Sequence, residues 1–158
     1  MTAKRFARAP AGFTLVELMV VVSVLALLAS LAAPSMGRII AAQRVKSSAS
    51  NLHLALLKAR SEAIKRNSAV TLEPVTGSNW ASGWNIRSGT TTIDVTQAQA
   101  RVVVTPTPNP TPSLTYRADG RLNGAAVMFV MSSEASPTSR CVSVDPTGRP
   151  YVKEASTC

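Results

Sequence analysis

The chain is 158 residues long, with 17 basic and 8 acidic side chains, two cysteines and one histidine. That length allows one domain and an anchor, and an aromatic content of 4% allows only a small core. The formal charge of +9 suits nucleic acid, anionic lipid or an acidic partner without choosing among them.

Lys4, Arg5 and Arg8 open the chain, and Leu18 to Gly37 then carries no charge. A helix of that length rises about 30 Å, the thickness of a bilayer's hydrocarbon core. The apolar run is longer than that of a conventional signal peptide and lacks a small-x-small cleavage site before a polar mature start. It is therefore expected to remain as an anchor. The basic leader should stay cytoplasmic and place the C-terminal part across the membrane. Without the three leader charges, 14 basic and 8 acidic residues remain, a net +6.

Glu17 stands at the edge of the apolar run. A charged residue at the centre of a membrane helix costs about 2.5–3.5 kcal/mol on insertion scales, and less near an end. Two readings follow: a carboxylate at headgroup level, or one that awaits a positive partner within an assembly.

Gly12-Phe13-Thr14-Leu15-Val16-Glu17-Leu18, with a basic leader upstream and a long apolar run downstream, resembles the processing site of type IV pilins and type II secretion pseudopilins. The resemblance implies cleavage between Gly12 and Phe13 by a prepilin peptidase and N-methylation of the new Phe13 amine. It also implies that Glu17 neutralises the Phe13 amine of a neighbouring subunit. An unpaired carboxylate in low dielectric is costly, and a neighbour's ammonium offsets that cost only in the correct register. Pro34 lies where this family places a helix-bending proline, and proline inside a helix removes one backbone bond. It also reads as a simple boundary between two helices. Gly37 weakens the same stretch.

From Arg38 to Arg66, Val45, Ala49, Leu52, Leu56, Ala59 and Ala63 recur every three or four residues and form one apolar stripe. Lys65 and Arg66 suit the helix C-terminus, Asn67 can close it in a left-handed conformation, and Glu62 and Arg66 form an i,i+4 pair. The helix is expected from near Phe13 to Arg66, a rise of roughly 80 Å. Its later half should pack on the head.

Beyond Asn67, short β-prone runs follow at 69–75, 83–87, 91–95, 101–105, 113–117, 126–131, 141–144 and 150–152, separated by Gly, Pro, Asn and Ser. The expected class is α+β, a long N-terminal helix packed on a small antiparallel β-rich head. Thr105 to Ser113, TPTPNPTPS, is too proline-rich for a ladder and is expected as an extended surface loop. The expected organisation is a leader over 1–12, a transmembrane and assembly helix over 13–36, an amphipathic helix over 37–67 and a head over 68–158. Cys141 and Cys158 read as a disulfide in an exported domain and as free thiols in a reducing one. A bridge closing that loop is worth about 3 kcal/mol in the chain-entropy view.

Leu56 to Asn67 followed by Val70-Thr71-Leu72 resembles the helix end and first strand of GspH/FimT-type proteins, and the cysteines around Thr147-Gly148-Arg149 resemble that family's C-terminal segment. The resemblance implies a minor pilin or minor pseudopilin that helps initiate or cap a filament. Its implied partners are other major and minor pilins or pseudopilins, the prepilin peptidase and the inner membrane. The implied location is a single-pass inner-membrane protein with a periplasmic head, later part of a pilus or pseudopilus. Some FimT-type pilins bind DNA through a C-terminal Gly-Arg-x-Arg motif. Here Gly148-Arg149-Pro150-Tyr151-Val152-Lys153 matches the first two positions and replaces the second arginine with Tyr151. Arg149, Tyr151, Lys153 and Arg121 are the residues such a function would use, with Arg117 and Arg140 extending the basic face. An ordinary solvated turn is the plainer reading.

No catalytic constellation is present. His53 falls beside the helix stripe without a ligand cluster, and the serines lack a base. Neither an enzyme nor a cofactor or metal is expected.

Overall fold

The computed structural model describes residues 12–155 and 158, without the side chains of 31–34. The leader through Ala11 thus lies outside the described residues, and Pro34 is described only as helical backbone. The chain divides into two units, Met1–Met36 and Gly37–Cys158. One α-helix, α1, is assigned over Leu15–Arg66.

In the first unit the helix begins at a side-chain cap. Thr14 Oγ1 accepts the Glu17 backbone N–H at 3.2 Å, which satisfies one of the donors every helix start leaves open. Further along, the Ser23 and Ser30 hydroxyls donate to the carbonyls of Met19 and Leu27 at 2.8 and 2.7 Å. Polar groups on an apolar helix are thereby satisfied within the helix itself. The large apolar side chains from Leu15 to Leu28 are all exposed. No single described helix is long and apolar enough to cross a membrane, whereas Leu15–Ser30 and Ser35–Arg66 pass together on length and composition.

In the second unit the helix stripe meets its core. Val45, Ala49, Leu52, Leu56, Ala59 and Ala63 are all buried. The helix ends at Asn67, with φ +48°. There Ser68 N–H donates to Ala63 O and Asn67 N–H to Ile64 O, both at 3.2 Å, the paired bonds of a Schellman cap. Glu62 holds Arg66 at 2.6 Å. That hydrogen bond, opposed by some desolvation and helped by the charge of Lys65, keeps the Glu62 carboxyl below its ordinary range.

Among the described residues eight strands follow: β1 (Val70–Thr76), β2 (Asn79–Ser88), β3 (Thr91–Gln97), β4 (Val103–Thr107), β5 (Leu114–Tyr116), β6 (Val127–Ser132), β7 (Arg140–Val144) and β8 (Pro150–Glu154). They form two four-stranded antiparallel sheets, in the orders β3-β2-β1-β5 and β4-β6-β7-β8. One buried cluster joins the helix stripe to both sheets, through Val70, Leu72 and Trp80 on one and Phe129, Met131 and Val142 on the other. This is the expected α+β architecture, and each β-prone run overlaps a strand.

The proline-rich segment corrects the sequence reading. Its first three residues, Thr105–Thr107, belong to β4, with Pro106 opposite Phe129. β4 is an edge strand, where a residue lacking an N–H need not break a ladder. The rest is an exposed loop apart from Thr111, with cis peptide bonds before Pro108 and Pro110. Trp80, which nothing in the sequence pattern singled out, fastens it. Its Nε1 donates to Thr111 O at 2.7 Å, and its ring meets Phe129 edge-to-face at 4.7 Å.

Candidate functional site

At the start of the helix, Phe13 is 76% exposed and Glu17 is exposed one turn further on. No side-chain partner for the Glu17 carboxylate occurs among the described residues. Among the described residues nothing lies within 4 Å of where a Cβ on Gly12 would stand. Around these two positions lies an apolar surface with one carboxylate, chemically able to take up other helices and one cation.

The head carries a second candidate, built from two turns. In the first, Arg117 N–H donates to Arg121 O and Gly120 N–H to Arg117 O, both at 2.8 Å. Asp119 Oδ1 accepts the Arg121 N–H at 3.1 Å. In the second, Asp145 Oδ1 accepts the Thr147 hydroxyl at 2.5 Å and the Arg149 N–H at 3.1 Å. Those two bonds, the hydroxyl first, hold the Asp145 carboxyl below its ordinary range.

The two turns interlock. Leu122 N–H donates to Pro146 O at 3.2 Å. Gly148, at φ +80°, lies so close to the first turn that a Cβ would stand 2.1 Å from Gly120 O. A Cβ on Gly120, at φ +76°, would meet Ile64 Cδ1 at 2.7 Å and Arg60 Nε at 3.3 Å. Arg121 and Arg149 are thus brought onto adjoining turns, with Arg60 of the helix alongside. Both are exposed and free of ion pairs among the described residues. Beneath them the Tyr116 hydroxyl is buried without a hydrogen-bond partner. Burial pushes its ionisation well above the ordinary value, against the opposing charge of Arg60.

The other expected residues lie elsewhere. Tyr151 and Lys153 pair with Ser143 and Cys141 across β7, on the face away from Phe129 and Val142. Tyr151 is 51% exposed. Lys153 Nζ donates to Cys158 O at 3.2 Å, which ties it to the chain's end. Cys141 and Cys158 form a disulfide, with Cα atoms 5.6 Å apart. Arg140 does not extend the basic face, because Glu154 neutralises it at 2.6 Å, and Arg117 faces Asp119 at 3.4 Å. His53 is half-buried, and its Nδ1 has no partner. Among the described residues no group of three or more His, Cys, Asp or Glu could hold a metal ion.

Residues 48–148 match the family described as Type II transport protein GspH. The chain belongs to the GspH family. Residues 8–33 match the prokaryotic N-terminal methylation motif, so both ends of the pilin-like plan are present in one polypeptide. Solved structures share its fold. The type IV minor pilin FimU of Pseudomonas aeruginosa PAO1 is 22% identical, with a TM-score of 0.64 over 73% of this chain and 96% of that one. The minor pseudopilin EpsH of the Vibrio cholerae type 2 secretion system is 13% identical, with a TM-score of 0.55 over 70% and 97%. No curated protein matches the chain. This GspH-family chain is a minor pilin or pseudopilin, a structural subunit and not an enzyme. The GspH match ends at Gly148, so Arg149, Tyr151 and Lys153 fall beyond it.

Proposed function

We propose that this chain is a minor type IV pilin that helps initiate or cap a pilus. One observation carries the reading. The later half of the helix spends its apolar stripe on the head's own core, whereas Leu15 to Leu28 expose theirs entirely. An apolar helix surface bearing the single carboxylate Glu17 needs lipid first and neighbouring helices afterwards. In this reading Gly12–Phe13 is the cleavage point and Phe13 is the methylated N-terminus. Glu17 selects register by meeting a neighbour's amine, and Pro34 softens the helix.

Purified pili analysed by mass spectrometry test this directly. The expected species begins at N-methylated Phe13, carries the Cys141–Cys158 bridge and is scarce relative to the main subunit. Glu17→Ala should leave cleavage intact and abolish entry into filaments. Normal entry of that variant would refute the register role. Recovery of the chain only with a secretion pseudopilus would reassign it to type II secretion.

A second reading, contact with DNA at the pilus tip, draws on the interlocked turns that put Arg149 beside Arg121. Tyr151 offers a ring for stacking. Binding through such phosphate contacts weakens steeply with salt. Duplex DNA titrated at two salt concentrations, with Arg149→Ala and Arg121→Ala alongside, decides it. Failure to bind at low salt, or binding indifferent to both substitutions, removes the idea.

A further inference from the structure

Within the second unit the helix carries another face, which the head leaves uncovered. Positions 40, 43, 47, 50, 54, 57, 61 and 64 alternate at intervals of three and four, with no charge among them. Of these, Ile40, Leu54, Leu57 and Ile64 are exposed by 42% to 61%. A helix with apolar residues on two faces is normally covered on both. A repeat of 3.5 residues is the seam along which two helices coil around each other.

Two hollows on one side of this seam repeat the same interval. The first, of about 180 Å³, is bounded on the helix by Gly37, Ile40, Ala41 and Arg44, and across from it by Arg101. The second, of about 370 Å³, is bounded on the helix by Asn51, Leu54, Ala55 and Lys58, and across from it by the half-exposed Val95. Each set has the spacing i, i+3, i+4, i+7, that of a hole which receives a knob from a facing helix. The second set follows the first by two heptads, about 21 Å along the axis.

Charge names the partner. Arg44, Asn51, Lys58 and Lys65 flank the seam on one side, and Lys46, His53 and Arg60 on the other. Lys58 is bound to Asp94 at 2.7 Å, and Lys65 faces Glu62 at 3.7 Å. Arg44, Lys46, Arg60 and Arg101 have no ion-pair partner among the described residues. Glu62, the sole carboxylate between Gly37 and Arg66, is held by Arg66 at 2.6 Å. A second copy would therefore set a basic flank against a basic flank in either direction. We propose that this face docks the helix of a different pilin subunit, one whose apolar knobs stand two heptads apart and whose flanks carry Asp or Glu. Leu54 and Leu57 supply affinity by leaving water. The free cations supply the choice of partner, by attracting acidic flanks and repelling basic ones. The inference rests on the chain being a subunit of a pilin assembly, and adds which kind of neighbour it takes.

The probe is a synthetic helix of four heptads with leucine along its seam and glutamate on its flanks, beside a twin with lysine on its flanks. Each is titrated by fluorescence anisotropy against the full chain in nonionic detergent at low ionic strength. The acidic probe should bind about sixty-fold more tightly than its twin. Each of Arg44, Lys46 and Arg60 gains about twofold against an acid and loses about twofold against a lysine. Arg44→Glu/Lys46→Glu should reverse the preference, to about fourfold in favour of the lysine twin. Leu54→Ser/Leu57→Ser should weaken both probes by about a hundred-fold, roughly tenfold for each leucine. All four substituted residues lie outside the core cluster, so unchanged urea midpoints report that the variants fold. In cells, a photoreactive residue at position 57 should cross-link to a helix of another pilin with carboxylates beside its seam. Equal binding of the twins, indifference to the leucine substitutions, or cross-linking to a second copy of this chain each overturns the proposal. The pilus reading and the docking face fail separately: the first when the chain is missing from purified pili, the second when the twins bind alike.

Discussion

Gly148→Ala tests the lock between the two basic turns. The residue sits at φ +80°, where an alanine costs about 1–2 kcal/mol more than glycine because its Cβ approaches the following carbonyl. The new Cβ would also stand 2.1 Å from Gly120 O and 3.1 Å from Tyr116 Cε1. The first is backbone and the second a fully buried ring, so neither yields cheaply. Forcing one carbon into such a site costs about 1–3 kcal/mol, which brings the expected loss to about 2–5 kcal/mol. With a urea dependence of about 2 kcal/mol per molar, the unfolding midpoint should fall by roughly 1–2.5 M. The assay is tryptophan fluorescence of the detergent-solubilised chain, since Trp80 and Trp84 are both buried. Gly89→Ala is the control. Its φ is +56°, but nothing lies within 4 Å of the added carbon, so only the backbone cost of about 1 kcal/mol applies. If Gly148→Ala shifts the midpoint no further than Gly89→Ala, the turns are not interlocked. The placement of Arg149 beside Arg121 would fall with them.

Trp80→Ala should cost about 3–5 kcal/mol as a large core truncation. Trp80→Phe should cost about 1–3 kcal/mol by leaving the Thr111 carbonyl without its donor, and urea melts followed by circular dichroism separate the two. Replacing Cys141 and Cys158 by serine should lower stability by about 3 kcal/mol, and a reducing agent should reproduce the loss in the unaltered chain alone. The Asp145 carboxyl is held below its ordinary range. Its contribution to stability is therefore complete above the unfolded value near 3.9 and is lost as pH falls through the lower folded value. Asp145→Asn should lower the urea midpoint at neutral pH, and the gap to the unaltered chain should close in acid. A gap that stays constant down to low pH would show that the carboxylate does not hold the turn.

Much of this molecule is written locally. The stripe from Val45 to Ala63 is a matter of spacing, so the helix and its buried face follow from the order of the residues alone. The cap at Asn67 and the Glu62–Arg66 pair involve groups within one or two turns of each other. The β-prone runs are legible as runs because their apolar content and the Gly and Pro between them are neighbours in the chain. The N-terminal motif belongs to the same class, as seven consecutive residues carry it.

What the tertiary structure decided involves partners far apart in sequence. Pro106 could become part of a strand only because β4 happens to be an edge. Arg140 left the basic face because β8 brought Glu154 opposite it. Trp80 became the fastening of the proline loop through a carbonyl 31 residues away. The lock of Gly148 on Gly120, and the meeting of Arg44 with Arg101 on one cavity, are likewise products of sheet order. Short-range propensity acts through the few dihedrals between near neighbours, so a single sequence displays it. Long-range pairing is chosen by burial and by backbone hydrogen bonding summed over the whole head, and no window of sequence contains that sum.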